Sequence, residues 1–267
     1  MSESTTVFAR SARKSSVSTA DEVPLATPLP LWEVPGWREQ FGVLAGISGR
    51  GSDPTAPFDL GLASQRPVGE VMARWRQFRA HFSACPSPVL SQQVHGDRVV
   101  WHDAALPGWM IIDGADGHAT AAPGRLLLVT VADCIPVYLL APSVRAIALL
   151  HAGWRGTAAG IVARGADLLG SRTGARPHEL VMHAGIGICG QCYEVGSEVM
   201  SAVGLATTGP GPWHLDLRDV LCRQARDLGI TRVTASSHCT ACRRDWFFSH
   251  RGSGGTDGRM AAWLGLV

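Results

Sequence analysis

The sequence predicts an α/β (α+β) fold, with mixed β-sheets flanked by helices in a single-domain layered sandwich. Three observations carry this reading. Short apolar runs alternate with stretches of helical spacing, as packed layers of strands and helices require. The breaks between runs carry turn chemistry, including Pro35-Gly36 and Gly96-Asp97. No internal repeat and no long central linker divides the 267 residues, which are 46% hydrophobic and 17% charged, so one large core is expected.

Residues 1–25 are rich in Ser, Thr and Ala without hydrophobic periodicity, and read as a disordered leader before a domain over residues 26–267. Residues 31–47 read as a short strand pair broken at Pro35-Gly36, and 48–57 as a loop dense in Gly, Ser and Pro. Residues 68–82 have helical spacing, with Val71, Trp75, Phe78 and Phe82 on one side. Residues 88–94 and 98–102 flank Gly96-Asp97 and read as a hairpin. The apolar runs 126–131, 136–140 and 145–150 fit buried strands, and 157–169 a helix. A strand over 180–183, a helix over 219–228 and a strand over 232–236 follow. Phe247-Phe248 and residues 260–266 read as the last strands.

Bulk properties exclude several classes. A formal net charge of +2, without like-charge blocks or a basic stripe, argues against nucleic acid as a partner. No segment reaches the roughly 18 apolar residues of a membrane helix. Arg10, Arg13 and Lys14 suggest a transit peptide, but Glu3, Asp21 and Glu22 oppose it, and no apolar run follows that would mark secretion. Seven cysteines, an odd number, fit a reducing cytoplasm better than a disulfide framework. A cytoplasmic monomer or small homo-oligomer is expected.

Function is carried by His95, Cys134 and His151, each at the end of an apolar run. Two imidazoles and a thiolate suit zinc and leave its fourth tetrahedral position open, the mark of a catalytic site; copper shares these ligands. In His-Ala-Gly-Trp-Arg-Gly a strand ends at His151, Gly153 and Gly156 make a turn, and a helix begins. Such a turn aims backbone N–H groups at one spot, and Arg155 adds a charged donor fork, which together suit phosphate. The plainer alternative is that Arg155 pairs with a surface carboxylate and the glycines only permit the turn. Asp133 either orients an imidazole or carries a proton, or else caps a turn.

These residues resemble the laccase-domain family, named for multicopper polyphenol oxidases and also described as zinc-dependent purine nucleoside phosphorylases. The matching pieces are Gln93-Val94-His95-Gly96, Ala115-Asp116-Gly117, Ala132-Asp133-Cys134 with Pro136, and His151 to Gly156. Ile188 to Val195, Cys239-Thr240, Phe248-Ser249-His250-Arg251 and Gly258-Arg259 follow in the family's order. The resemblance implies that His95, Cys134 and His151 hold the metal. It implies phosphorolysis of adenosine, inosine or methylthioadenosine, with adenosine deamination beside it. Phosphate would be held by Arg155, with Arg76 and Arg251 as further candidates. Val131, Asp59, Trp75, Ile186 and Gly252 depart from the family pattern around the site.

Cys189-x-x-Cys192 and Cys239-x-x-Cys242 have the pair spacing of a four-cysteine zinc site but are far apart in the chain, so buried thiols are the expected reading. Two other functions compete. A copper-dependent polyphenol oxidase would need many more histidines, in His-x-His pairs that this chain lacks. A cysteine hydrolase would use Cys134 as nucleophile and His151 as base.

Overall fold

The computed structural model describes residues 17–62 and 66–267. The chain begins with β1 (Ser18–Thr19), β2 (Val23–Pro24), β3 (Leu31–Glu33) and the one-turn α1 (Trp37–Phe41). Then come β4 (Val43–Ser48), α2 (Val68–His81), β5 (Ser87–Gln92), β6 (Val99–His102), β7 (Met110–Asp113) and β8 (Gly117–Thr120). The centre is β9 (Arg125–Val131), β10 (Ile135–Ala141) and β11 (Ala146–Ala152), followed by α3 (Trp154–Ala158) and α4 (Ile161–Thr173). The remainder is β12 (Val181–Ala184), β13 (Glu194–Val195), α5 (Ser197–Ala202), β14 (Trp213–His214), α6 (Leu217–Asp227), β15 (Arg232–Ala235) and β16 (Met260–Leu266).

Two seven-stranded mixed sheets result. The first runs β2-β3-β4-β16-β9-β5-β7 and the second β1-β15-β12-β10-β11-β8-β6. Their central strands are apolar along most of their length because both faces are covered. In β9, Leu127, Val129 and Val131 meet Tyr138, Leu140, Ile147 and Leu149 of the second sheet. The alternate residues Leu126 and Leu128 face α2 through Val71, Trp75 and Phe78. On the far side, Val137, Leu139, Ala148 and Leu150 pack with α4 and α6. The order is helix, sheet, sheet, helices, which is the layered sandwich expected of the sequence.

Three local expectations change. The leader over residues 1–16 lies outside the described residues, but residues 17–25 are structured. Ser18–Thr19 pairs with β15 and Val23–Pro24 with β3, while buried Glu22 accepts from the Ile186 amide and lies 3.2 Å from His183 Nε2. The hairpin about Gly96-Asp97 does not form: β5 pairs with β7 and β9, whereas β6 pairs with β8 in the other sheet. The amides of Val94, His95 and Gly96 are taken by the Asp116 carboxylate instead of a facing strand. Phe247-Phe248 lies in an irregular segment, not a strand; its apolarity serves burial, with Phe247 5.2 Å from the Trp32 ring.

A buried histidine pair gives the fold a pH dependence. His102 Nε2 and His118 Nδ1 lie 3.1 Å apart. Burial, with the Arg125 charge nearby, lowers His102 to about 4. Burial, then His102, lowers His118 to about 3. Below the ordinary value of 6.5 the unfolded chain takes up protons that the folded chain refuses. The stability is therefore complete above that value and falls as pH drops toward 4. Melting temperature measured across this window should decline on acidification, and less steeply in the His102→Leu/His118→Leu variant.

Candidate metal site and its surroundings

β5, β7 and β9 run parallel, so their carboxyl ends lie together. From that end the chain crosses three times into the second sheet, to β6, β8 and β10. His95 lies in the first crossing, Asp116 in the second, and Asp133 and Cys134 in the third. His151 arrives from the neighbouring end of β11, paired with Pro136 just past Cys134. The topology thus collects residues from distant parts of the sequence at one seam between the sheets.

Asp116 organises this seam and was missed as a site residue by sequence reasoning. It is fully buried. Its Oδ1 lies 2.9 Å from His151 Nδ1 and accepts the His95 amide at 2.9 Å. Its Oδ2 accepts from the amides of Gly96 at 2.7 Å and Val94 at 3.2 Å. Burial alone would raise its pKa, but the His151 hydrogen bond and the amides outweigh this and lower it. With Nδ1 of His151 engaged by the carboxylate, Nε2 is left for a ligand. Three amides on one carboxylate also hold His95 at φ 62, a left-handed conformation uncommon outside glycine. The only early signal was the short Ala115-Asp116-Gly117 motif.

The donor atoms of His95, Cys134 and His151 all lie within 4.8 Å of one another. The imidazole rings meet edge to face at 4.8 Å between centroids. Burial opposes ionisation of the Cys134 thiol, but the charge and hydrogen bond of His151, then His95, overcome it and lower its pKa. His151 is raised in turn: burial opposes its charge, and Cys134 and Asp116 favour it. A thiolate beside two imidazoles, one of them oriented by a carboxylate, is a donor set that fits zinc with an open position.

Gly153 and Gly156 allow close approach. A Cβ on Gly153 would come within 3.1 Å of Cys134 Sγ and 3.2 Å of His95 Cδ2; one on Gly156 would lie 2.7 Å from the Gly96 carbonyl oxygen. The expected helix over 157–169 is split: α3 has five residues, and α4 starts afresh after Gly160 at φ 80. One turn of helix contributes little dipole, so charge for an anion falls to side chains. Arg155 is exposed and stacks on Trp154 at 4.2 Å. Arg251 lies 5.2 Å from the Tyr193 ring and donates to the Glu194 carbonyl. Burial, then the Cys134 charge, raises the Tyr193 pKa, while Arg251 and Arg155 act against it. Tyr193 therefore feels the charges of the thiol and of both arginines; it was not singled out from the sequence.

Asp133 sits at φ 85. Its carboxylate accepts from the Thr240 hydroxyl and the Arg251 amide, both at 2.6 Å. It fastens the 239–251 loop against Cys134, and the imidazole partner is Asp116. Arg76 is exposed on α2 and makes no hydrogen bond or ion pair with the triad among the described residues. At the departures from the family pattern, Thr130 beside Val131 exchanges hydrogen bonds with Gln93 and ties the first crossing to the third. Asp59 accepts from the Gly61 and Arg259 amides. The Arg244 side chain occupies the space a Cβ on Gly252 would need, and Arg244 lines a cavity of about 390 Å³ with Arg50 and Asp257.

Residues 42–267 match the family model described as multi-copper polyphenol oxidoreductase laccase. A protein of Geobacillus stearothermophilus named purine nucleoside phosphorylase YlmD is 33% identical over 248 residues, covering 84% of this chain and 90% of that one. A Deinococcus radiodurans protein named purine nucleoside phosphorylase is 34% identical, covering 90% of this chain and 94% of its own. The crystal structure of YlmD from Geobacillus stearothermophilus superposes with TM-score 0.82 at 27% identity, covering 92% of this chain and 99% of that chain. The Bacillus licheniformis hypothetical protein YfiH superposes with TM-score 0.81 at 27% identity, over 91% of this chain and 98% of that one.

Proposed function

The chain belongs to the multi-copper polyphenol oxidoreductase laccase family, and from that premise we propose that it is a purine nucleoside phosphorylase. It converts adenosine, inosine or methylthioadenosine and phosphate to free base and ribose-1-phosphate, with adenosine deamination as a side activity. The observation that carries this is the triad of His95, Cys134 and His151 drawn within 4.8 Å, with the Arg251 amide held by Asp133 next to Cys134 and Arg155 in the turn after His151. The names of the relatives support the same activity.

Arg251 and Arg155 neutralise and orient phosphate as its oxygen bonds to C1′ and the C1′–N9 bond breaks. Tyr193, kept protonated by burial, presents a hydroxyl donor and a ring face to the nucleoside. Asp116 keeps His151 oriented. Asp133 keeps the Arg251 backbone in register with Cys134. His95, Cys134 and His151 would hold zinc, which would supply the Lewis acidity and the lowered water pKa that deamination at C6 of adenine requires. The multicopper chemistry of the family's description finds no counterpart here: among the described residues the two clusters able to share an ion are this triad and a set of four cysteines, and neither is the histidine-rich set that such chemistry uses.

The test is product analysis with metal-defined protein, adenosine and phosphate. Adenine and ribose-1-phosphate are expected, falling more than about 100-fold in Cys134→Ala, since loss of a direct ligand exceeds the cost of losing its hydrogen-bonded support. Undiminished phosphorolysis by metal-free Cys134→Ala would overturn the reading. Inosine formed without any phosphate requirement would make deamination the main reaction.

A second reading rests on one observation: Cys134, His151 and Asp116 also form a thiol–imidazole–carboxylate relay. A cysteine hydrolase of this kind retains activity after chelation and is inhibited by added zinc, the reverse of the first reading.

A further inference from the structure

Outside this site, the cysteine pairs expected to be ordinary thiols come together. The sulfurs of Cys189, Cys192, Cys239 and Cys242 all lie within 4.8 Å of one another. We propose that these four cysteines form a second, structural metal site that binds zinc through four thiolates, independently of the His95 site. Four thiolates at a zinc–sulfur distance of ~2.3 Å stand about 3.8 Å apart, so the chain already holds them near the required spacing. They are too close to enclose a four-iron cluster, which favours a single ion.

The backbone of both pairs is shaped for this role. Cys189 closes a tight turn, its carbonyl accepting the amides of Cys192 and Tyr193 at 3.1 and 3.0 Å. The Cys189 amide donates to Cys239 Sγ at 3.2 Å. Amides directed at a sulfur stabilise its thiolate and leave its other lone pairs for a metal. The turns are joined by a parallel bridge between Gly187 and Cys239 and by the Thr240 amide donating to Gly187. Cys192 and Cys242 sulfurs are 3.4 Å apart, in hydrogen-bond contact and not joined by a disulfide. On binding, each thiol releases its proton to solvent and no redox partner is needed.

The site has a structural purpose. One turn runs on into Tyr193 and Glu194, and the other carries Thr240, which holds Asp133. A metal there fixes the two loops that wall the His95 site, without offering an open position of its own.

The test measures zinc per chain after purification under reductant and exchange into zinc. Two equivalents are expected in the native chain, one in Cys134→Ala and one in Cys192→Ser/Cys242→Ser. Cobalt loaded into Cys134→Ala should give strong thiolate-to-metal charge transfer, lost when Cys192 and Cys242 are also replaced. If the double serine variant fails to fold, Cys242→Ser alone serves, since Cys242 is exposed; its zinc should pass to a colorimetric chelator at least tenfold faster than the second zinc of the native chain. One native equivalent that disappears in Cys134→Ala would overturn the proposal, as would a disulfide among the four in the intact mass of protein isolated with its metal. One equivalent that survives Cys134→Ala would uphold this site and count against the triad as a metal centre, so the two readings fail separately.

Discussion

Asp116→Ala should lower metal affinity at the triad by 10–100-fold or more and destabilise the fold by about 3–5 kcal/mol. Both effects have one source. The carboxylate is fully buried and serves four groups: the His151 imidazole and the amides of Val94, His95 and Gly96. Its removal orphans three donors at the seam and frees the ring to adopt the other tautomer. Without the amide clamp, His95 has no reason to keep its positive φ, and one ligand drifts while another loses orientation. Zinc competition titrations and urea denaturation read the two losses independently. Asp116→Asn keeps the volume but offers one acceptor oxygen, and should fall between native and alanine in both.

Gly156→Val is expected to reduce activity about 100-fold although it removes none of the donor groups. Its Cβ would lie 2.7 Å from the Gly96 carbonyl oxygen, backbone against backbone, so no rotamer change relieves the contact. The turn carrying His95 must move away from α3. Displacement of a catalytic group by about 1 Å is enough for a loss of that size, and overpacking of this kind costs about 1–3 kcal/mol. The diagnostic result is weakened zinc binding with a modest change in melting temperature. A variant that binds zinc normally would show that the turn tolerates the push.

The parts of this molecule legible in the sequence are those decided by local chemistry. Val71, Trp75 and Phe78 announce the face of α2, and the apolar runs of β9, β10 and β11 announce buried strands. His95, Cys134 and His151 are readable as a candidate metal site because few residue types ligate a metal ion and all three end such runs. Asp116 escaped because a carboxylate beside a glycine looks like a turn; its importance comes from partners brought in by tertiary structure. The 17–25 segment looked polar and patternless because Glu22 is buried through His183 and the Ile186 amide, pairings hydropathy does not register. The β5–β6 connection looked like a hairpin because its turn residues are right, while the pairing was decided by competition from β7, β8 and β9. Cys189 and Cys239, 50 residues apart, are brought together by tertiary contacts such as the bridge near Gly187 and the Cys189 amide on the Cys239 sulfur.

The crossings from one sheet to the other give the site a mechanical property. His95 hangs from the first sheet through β5, and His151 from the second through β11. The gap between their rings therefore measures how the two sheets are aligned, as a vernier measures the slide of one scale along another. A cavity cut deep in the interlayer core, at Leu149 or Val129, lets that alignment wander and is felt at the far end as lost affinity for the ion. An ion seated there, reciprocally, locks the layers in register.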